Sequence, residues 1–471
     1  MSELALSIFV AAIIVLIYRR YRSVFCLPFF WAAYFPFQYL GLLQLRARYG
    51  GISYAYAAAA FGIFYVGLLA ADFLVFYRSS SKRSKGEGHE ADRNSQKPAS
   101  KLNQQPQKTK IRLMFPILPL NVGLFVSLLA ATFVTVVFFA NQGIPIFSSF
   151  PALAWVEATS GVVNRLMTVF GPGCYASLGL VAWAVHRESK SRAALAMMYL
   201  GLGLAILGQA LLASKAAGIL IFIWFNIVLF YLNKKREFRK SLVPLIIVVV
   251  PISAAIVATR LMSSMGYWKA WNVYQTYYDR VTAESAQPVD FIFKYMNRFG
   301  PMHGGGMHLE VERIEEQLTG RTRTPIPSEL VFDLMNDLPT NTTGLSAALA
   351  LYGTGYLEWG LAGMLIYSLL QGLAFGWIHR YLLRQKTMNL VMLITWGGIL
   401  GYMLAVSGTG TILVGLEGAL LSIIPPLVLI LPFCAFFRLP LARRYRTSVD
   451  GTAFGTLRRK QEPTPKLAQE T

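Results

Sequence analysis

Long apolar runs alternate along the chain with short clusters of Lys and Arg, and the spacing of the two sets the predicted elements. A helix rises about 1.5 Å per residue, so a hydrocarbon core of about 30 Å takes roughly 20 apolar residues. That window predicts about eleven spans, at 4–18, 24–45, 52–77, 113–140, 161–186, 194–213, 216–232, 241–259, 359–381, 388–407 and 411–437. Helices are required because an open strand in lipid leaves its backbone groups without partners. The expected organisation is a first helical block at 1–77, a disordered basic linker at 78–112, a central block at 113–260 and a large loop at 261–343. A re-entrant segment with further spans at 344–437 and a basic tail at 438–471 complete it.

Composition excludes other classes. Hydrophobic residues make up 55% of the chain and charged ones 14%, with 44 Lys and Arg against 23 Asp and Glu. A soluble domain carries about a quarter charged residues, and disorder needs low hydrophobicity. Six basic clusters, at 19–22, 78–112, 187–192, 233–240, 380–386 and from 438 onward, hold 32 of the 44 positive charges. Eleven alternating spans put all six on one side, the positive-inside pattern. The expectation is a multi-pass membrane protein with its N-terminus outside and its C-terminus cytoplasmic. Topology therefore explains the pI near 9.9 without nucleic acid. Cys26, Cys174 and Cys434 sit in apolar runs with no CxxC and read as packing residues.

The one long segment on the opposite side, about 260–341, carries eight Lys or Arg against ten acids and is where chemistry is expected. Trp268, Trp271, Tyr274, Tyr277 and Tyr278 recur at helical spacing. They read either as an interfacial belt on the outer leaflet or as a stacking platform for sugar rings. Arg298 follows, flanked by aromatics, and then His303-Gly304-Gly305-Gly306. An esterase oxyanion hole of this type needs a GxSxG elbow, which is absent, and His303 with His308 lacks a third metal ligand. The string reads as a flexible glycine hinge bearing an accessible His; no metal and no cofactor are expected. Arg165, in an apolar run, and Lys215, in a short turn between spans, are functional candidates or snorkelling cations. Glu157, Glu358 and Glu417 also lie near the outer face.

The layout resembles the O-antigen polymerase (Wzy-type) and oligosaccharide repeat-unit polymerase family. The resemblance rests on IYRRYRSVFCLPFFWAAYF in the opening spans, FFANQGIPIF after the fourth, and GQALLASKAAGILIF around Lys215. It rests above all on NTTGLSAALALYGTGYLEWGLAGMLIYSLLQGLAFGWIHRYL after the large loop. It implies an all-α polytopic enzyme of glycosyltransferase-C-like fold in the bacterial inner membrane, its N-terminus periplasmic, working on the periplasmic side without a metal, with undecaprenyl-pyrophosphate-linked oligosaccharide as substrate. A chain-length regulator and a flippase are the implied partners. In that reaction an acceptor hydroxyl attacks an anomeric carbon and a lipid pyrophosphate leaves, which fixed cations at the headgroup level stabilise. Arg298 and Arg280 are expected at the pyrophosphates, with Lys215 and Arg165 completing a positive rim. Trp268 and Trp271 are expected under the glycan, with His303, Asp279 or Glu310 as general base. An O-antigen ligase shares donor and leaving group. A lipid-linked oligosaccharide flippase is the alternative outside chemistry, disfavoured by charges that gather at one face rather than at the midplane.

Overall fold

The computed structural model describes residues 2–86, 109–113, 115–148, 165–212, 217–233, 251, 255, 258, 269–319, 324–338 and 347–430. It is an all-α membrane-embedded protein. Its helices in chain order are α1 (Glu3–Tyr21), α2 (Leu27–Tyr49), α3 (Ser53–Gly86), α4 (Ile117–Gln142), α5 (Arg165–Phe170), α6 (Pro172–Ser189), α7 (Arg192–Leu211) and α8 (Ala217–Asn233). They continue with α9 (Ala270–Val281), α10 (Ala283–Phe299), α11 (Gly305–Thr319), α12 (Pro327–Met335), α13 (Ala350–Arg384), α14 (Leu390–Thr409) and α15 (Leu413–Ile430). Among the described residues, seven helices are long and apolar enough to cross a membrane: α1, α3, α4, α7, α13, α14 and α15. Leu118 and Phe133 of α4 are 73% and 70% exposed, an outer surface that only lipid tails satisfy.

Hydropathy alone misplaces one element. The run expected as one span over 161–186 is cut at Gly171, where α5 ends and α6 begins on Pro172. Proline has no N–H to give the preceding turn and suits a helix start. The span expected from 359 does follow a break, at Trp359 (φ −135°, ψ 17°) and Gly360 (φ 63°, ψ −147°), and a further helical stretch from Ala350 leads into it within α13. The span expected at 241–259 lies almost wholly outside the described residues.

The centre of the bundle is the α3–α13 pair. A Cβ on Gly67 would lie 2.4 Å from the Leu369 carbonyl oxygen, and one on Gly372 would lie 2.1 Å from that of Phe64. Small residues let the two backbones touch, the usual source of helix association where lipid removes the hydrophobic drive. Beside them Phe35 stacks on Phe61 with centroids 4.2 Å apart.

Polar groups then lock the two ends of this core. At one end, Asp72 of α3 accepts charge-assisted hydrogen bonds from Arg20 of α1 and Arg380 of α13. Next to it Leu27 N–H donates to the Tyr231 hydroxyl (3.1 Å), which is also hydrogen-bonded to His379 Nδ1 (3.0 Å). At the same end, residues inside the stretch expected as linker are ordered. Lys110–Arg112 pairs in parallel with Thr387–Asn389, and Arg187 donates to the Thr109 carbonyl at 2.6 Å. The other end of α3 begins at Ser53, whose hydroxyl donates to Asp290 of α10 at 2.6 Å. Ser53 and Asp72 are 19 helical residues apart, about 28 Å, so the two ends stand a hydrocarbon thickness apart.

Candidate functional site

The helices α9 to α12 gather at the Ser53 end of the core, and α10 carries the site. Its apolar positions Ala286, Val289, Ile292, Phe293 and Met296 recur every three or four residues and are buried, while Lys294, Asn297 and Arg298 on the opposite face are exposed. Two contacts seat its start on α2. A Cβ on Gly41 would lie 2.2 Å from the Thr282 carbonyl oxygen, and the buried Gln38 donates to the Ser285 carbonyl while accepting from Tyr352. Gly300, at φ 78°, closes α10 and returns the chain toward α13.

There the kink and the glycine string complete each other. The break at Trp359–Gly360 takes the Leu357 and Glu358 carbonyls out of regular helical pairing, and such groups need other donors. Met302 N–H donates to Leu357 O (3.0 Å) and His303 N–H to Glu358 O (2.8 Å). Gly306 N–H donates to the Glu358 carboxylate at 3.3 Å. Glu358 is 0% exposed, and a Cβ on Gly306 would come within 1.9 Å of its Oε1. The string expected as a flexible hinge is therefore a docked turn, held by backbone hydrogen bonds to a kinked helix. His303 itself takes a left-handed conformation (φ 51°) and remains exposed, its ring edge-on to Trp359 at 5.9 Å.

Of the candidate bases, Glu310 has a structural role in the fold. It is buried and accepts from the N–H groups of Ile412 (3.2 Å), Leu413 (2.6 Å) and Val414 (3.1 Å). It caps the N-terminus of α15, where a carboxylate is favoured by the helix dipole, and both of its oxygens are engaged there. The next turn of α11 is equally structural. Arg313 reaches the Thr324 carbonyl (3.1 Å) and Glu329 (3.4 Å), both on the far side of the α11–α12 turn. Glu316 accepts from the hydroxyl and N–H of Thr324. The Thr324 hydroxyl, above all, holds the Glu316 carboxyl below its ordinary value.

Arg298 is exposed on the last turn of α10, its guanidinium 5.2 Å from the Phe299 ring, with no carboxylate at ion-pair distance among the described residues. Arg280 ends α9, just before α10 begins, so about 20 Å of helix separates the two backbones. The side chain of Arg280 lies outside the described residues, and the half-buried Asp279 stands at the same remote end. Along α9, Trp271, Tyr274 and Tyr278 form an exposed stripe with successive centroids 5.4 and 6.3 Å apart, anchored where Gln44 donates to the Tyr278 hydroxyl at 2.9 Å. Arg165 opens α5, but its side chain is outside the described residues, as are Lys215 and Trp268 altogether.

The structure thus brings together His303 and Trp359, an accessible imidazole and an exposed indole at the docked turn, and Arg298 is exposed on the last turn of α10, five residues before His303. Sequence reasoning placed Glu358 near this face without its role. The adjacent Glu-Trp-Gly and triple glycine were the available signals. Among the described residues no cluster of His, Cys, Asp or Glu is arranged to hold a metal ion. No family model, no curated protein and no solved structure matches the chain.

Proposed function

We propose that this protein polymerises oligosaccharide repeat units carried on undecaprenyl pyrophosphate, on the periplasmic face of the inner membrane. The observation that supports this reading best is the exposed Arg298 on the last turn of α10, followed five residues later by the exposed His303 on a docked turn, at one end of a membrane-embedded bundle. In the reaction a sugar hydroxyl of the acceptor forms a bond to the anomeric carbon of the donor, and the anomeric carbon–oxygen bond to the pyrophosphate breaks. His303 takes the hydroxyl proton, and Arg298 receives the charge that develops on the leaving diphosphate. A guanidinium suits that task because its planar fork meets two phosphate oxygens at once. The α9 aromatic stripe, about 20 Å along α10 from Arg298, supports the glycan rather than the diphosphate. Asp279 lies with that stripe, which leaves His303 as the base. Lys215 and Arg165 complete the cationic rim in this proposal.

The test is the purified protein in proteoliposomes supplied with a defined undecaprenyl-pyrophosphate-linked repeat unit. Elongation appears as a ladder of products on a gel. Arg298→Ala at wild-type protein level is expected to lose the ladder, with Arg298→Lys recovering only part of it. A protein that leaves the units unelongated, but moves them across the bilayer or onto a lipid A core acceptor, overturns the reading.

A further inference from the structure

A second cationic feature lies at the Asp72 end of the bundle. Tyr18, Arg19, Arg22, Ser23 and Val24 line an open cleft of about 660 Å³ at the turn from α1 to α2. Three arginines stand in this stretch, and the fold divides them. Arg20 is taken up by Asp72, whereas Arg19 and Arg22 are exposed and have no carboxylate at ion-pair distance among the described residues. Arg22 is held toward the turn by a left-handed backbone (φ 49°), fixed by its N–H donating to the Tyr18 carbonyl at 2.6 Å. A side chain rarely takes this conformation where glycine would serve.

The depth of the cleft identifies what it meets. Helix α1 has 19 residues, about 28 Å of rise, and is apolar along its length. A helix of that length spans the hydrocarbon core and puts its last turn at the level of the lipid headgroups. The lining is mixed in the same sense. Two guanidiniums offer paired donors for phosphate oxygens, and the exposed Val24 and Tyr18 offer apolar surface for the glycerol and first acyl carbons.

We propose that this cleft binds the phosphate of an anionic phospholipid, as a structural lipid site separate from the candidate catalytic turn. Two unpaired guanidiniums favour a headgroup of net negative charge over one that carries its own ammonium.

The experiment measures the thermal unfolding of the detergent-solubilised full chain at matched ionic strength. The additions are dioctanoyl-phosphatidylglycerol, dioctanoyl-phosphatidylcholine or inorganic phosphate. A ligand that binds only the folded state raises Tm by mass action. Phosphatidylglycerol is expected to raise Tm by several degrees, and the other two to leave it in place. The variant Arg19→Gln/Arg22→Gln is expected to lose the rise. Lys190→Gln/Arg192→Gln, which removes the same charge from an exposed turn elsewhere, is expected to keep it. A rise that survives in Arg19→Gln/Arg22→Gln, or is absent from the wild type, overturns the proposal. An equal rise with inorganic phosphate overturns the lipid as occupant. Should the double variant not survive purification, photo-crosslinking of a diazirine phosphatidylglycerol to the wild type gives the second reading. Adducts on residues 18–24 support the site, and adducts only elsewhere overturn it.

Discussion

Gly304, Gly305 and Gly306 are neighbours in sequence, yet a methyl group added to each meets a different surrounding. On Gly305 the nearest atoms are those of the Met302 side chain at 3.7 Å, an ordinary contact. On Gly306 the Glu358 carboxylate oxygen lies at 1.9 Å and the Pro327 ring at 2.8 Å. Gly305→Ala is therefore expected to be neutral or slightly stabilising, since it lies at an ordinary helical φ and loses less chain entropy on folding. Gly306→Ala forces the buried carboxylate off the turn, at a cost of about 1–3 kcal/mol by the usual scale of overpacking, and takes polymer formation with it. Melting curves and the elongation assay on the two variants check the contrast. A tolerated Gly306→Ala would mean that Glu358 does not hold the turn. Glu316 gives a pH-dependent counterpart. Its carboxyl is held low in the fold by Thr324, so the stability it adds is present above the unfolded carboxylate value and disappears as pH falls through the depressed folded value. Hydrogen exchange over residues 305–335 is expected to show Glu316→Gln less protected than wild type near neutrality, with the difference closing in acid.

At the scale of elements, the apolar helices were legible because lipid tolerates few alternatives to a run of about 20 apolar residues. The α9 aromatic stripe and the turn after Arg298 were legible from helical spacing and from glycine. What was not legible joins residues far apart in the chain. The kink at Trp359–Gly360 is completed by Met302 and His303, more than fifty positions earlier, and no periodicity encodes that capture. The same holds for Asp72, whose partners lie 52 and 308 residues away. This carboxylate ties α1, α3 and α13 at one end and so holds the register of the helix that bears the kink at the other. Asp72→Asn keeps the volume but strands two guanidiniums. The cost is expected to fall below the roughly 3–5 kcal/mol of a fully buried pair broken on one side, because the two arginine side chains keep 37% and 38% exposure. A lower Tm together with faster hydrogen exchange at the α3 and α13 ends is the expected result. Unchanged exchange would show that the triad is a surface ion pair only.

For the whole molecule, the decisive quantity is the separation of two unlike ends. The kink and Arg380 are both on α13, and Glu358 to Arg380 is 22 residues, about 33 Å of helix rise. One end presents Arg298, His303 and the aromatic stripe. The other presents the Arg20–Asp72–Arg380 triad and the β-paired residues before α4. The described residues of the basic clusters at 19–22, 110–112, 187–192 and 380–386 fall at the second end, so under the positive-inside rule that end is expected in the cytoplasm and the candidate site on the opposite side. Cysteine labelling in intact cells tests this directly. Cys26 and Cys174 are buried and contribute little background, and Cys434 is removed by Cys434→Ser. Arg298→Cys and Arg384→Cys both place a thiol at an exposed position, one at each end. A membrane-impermeant maleimide is expected to label the first in intact cells and the second only after the membrane is opened. The reverse pattern would put the imidazole and the free guanidinium on the side where nucleotide-activated sugars are made. A donor displayed at the opposite leaflet would then be out of reach, and the polymerase reading would fall even with every contact of the site intact.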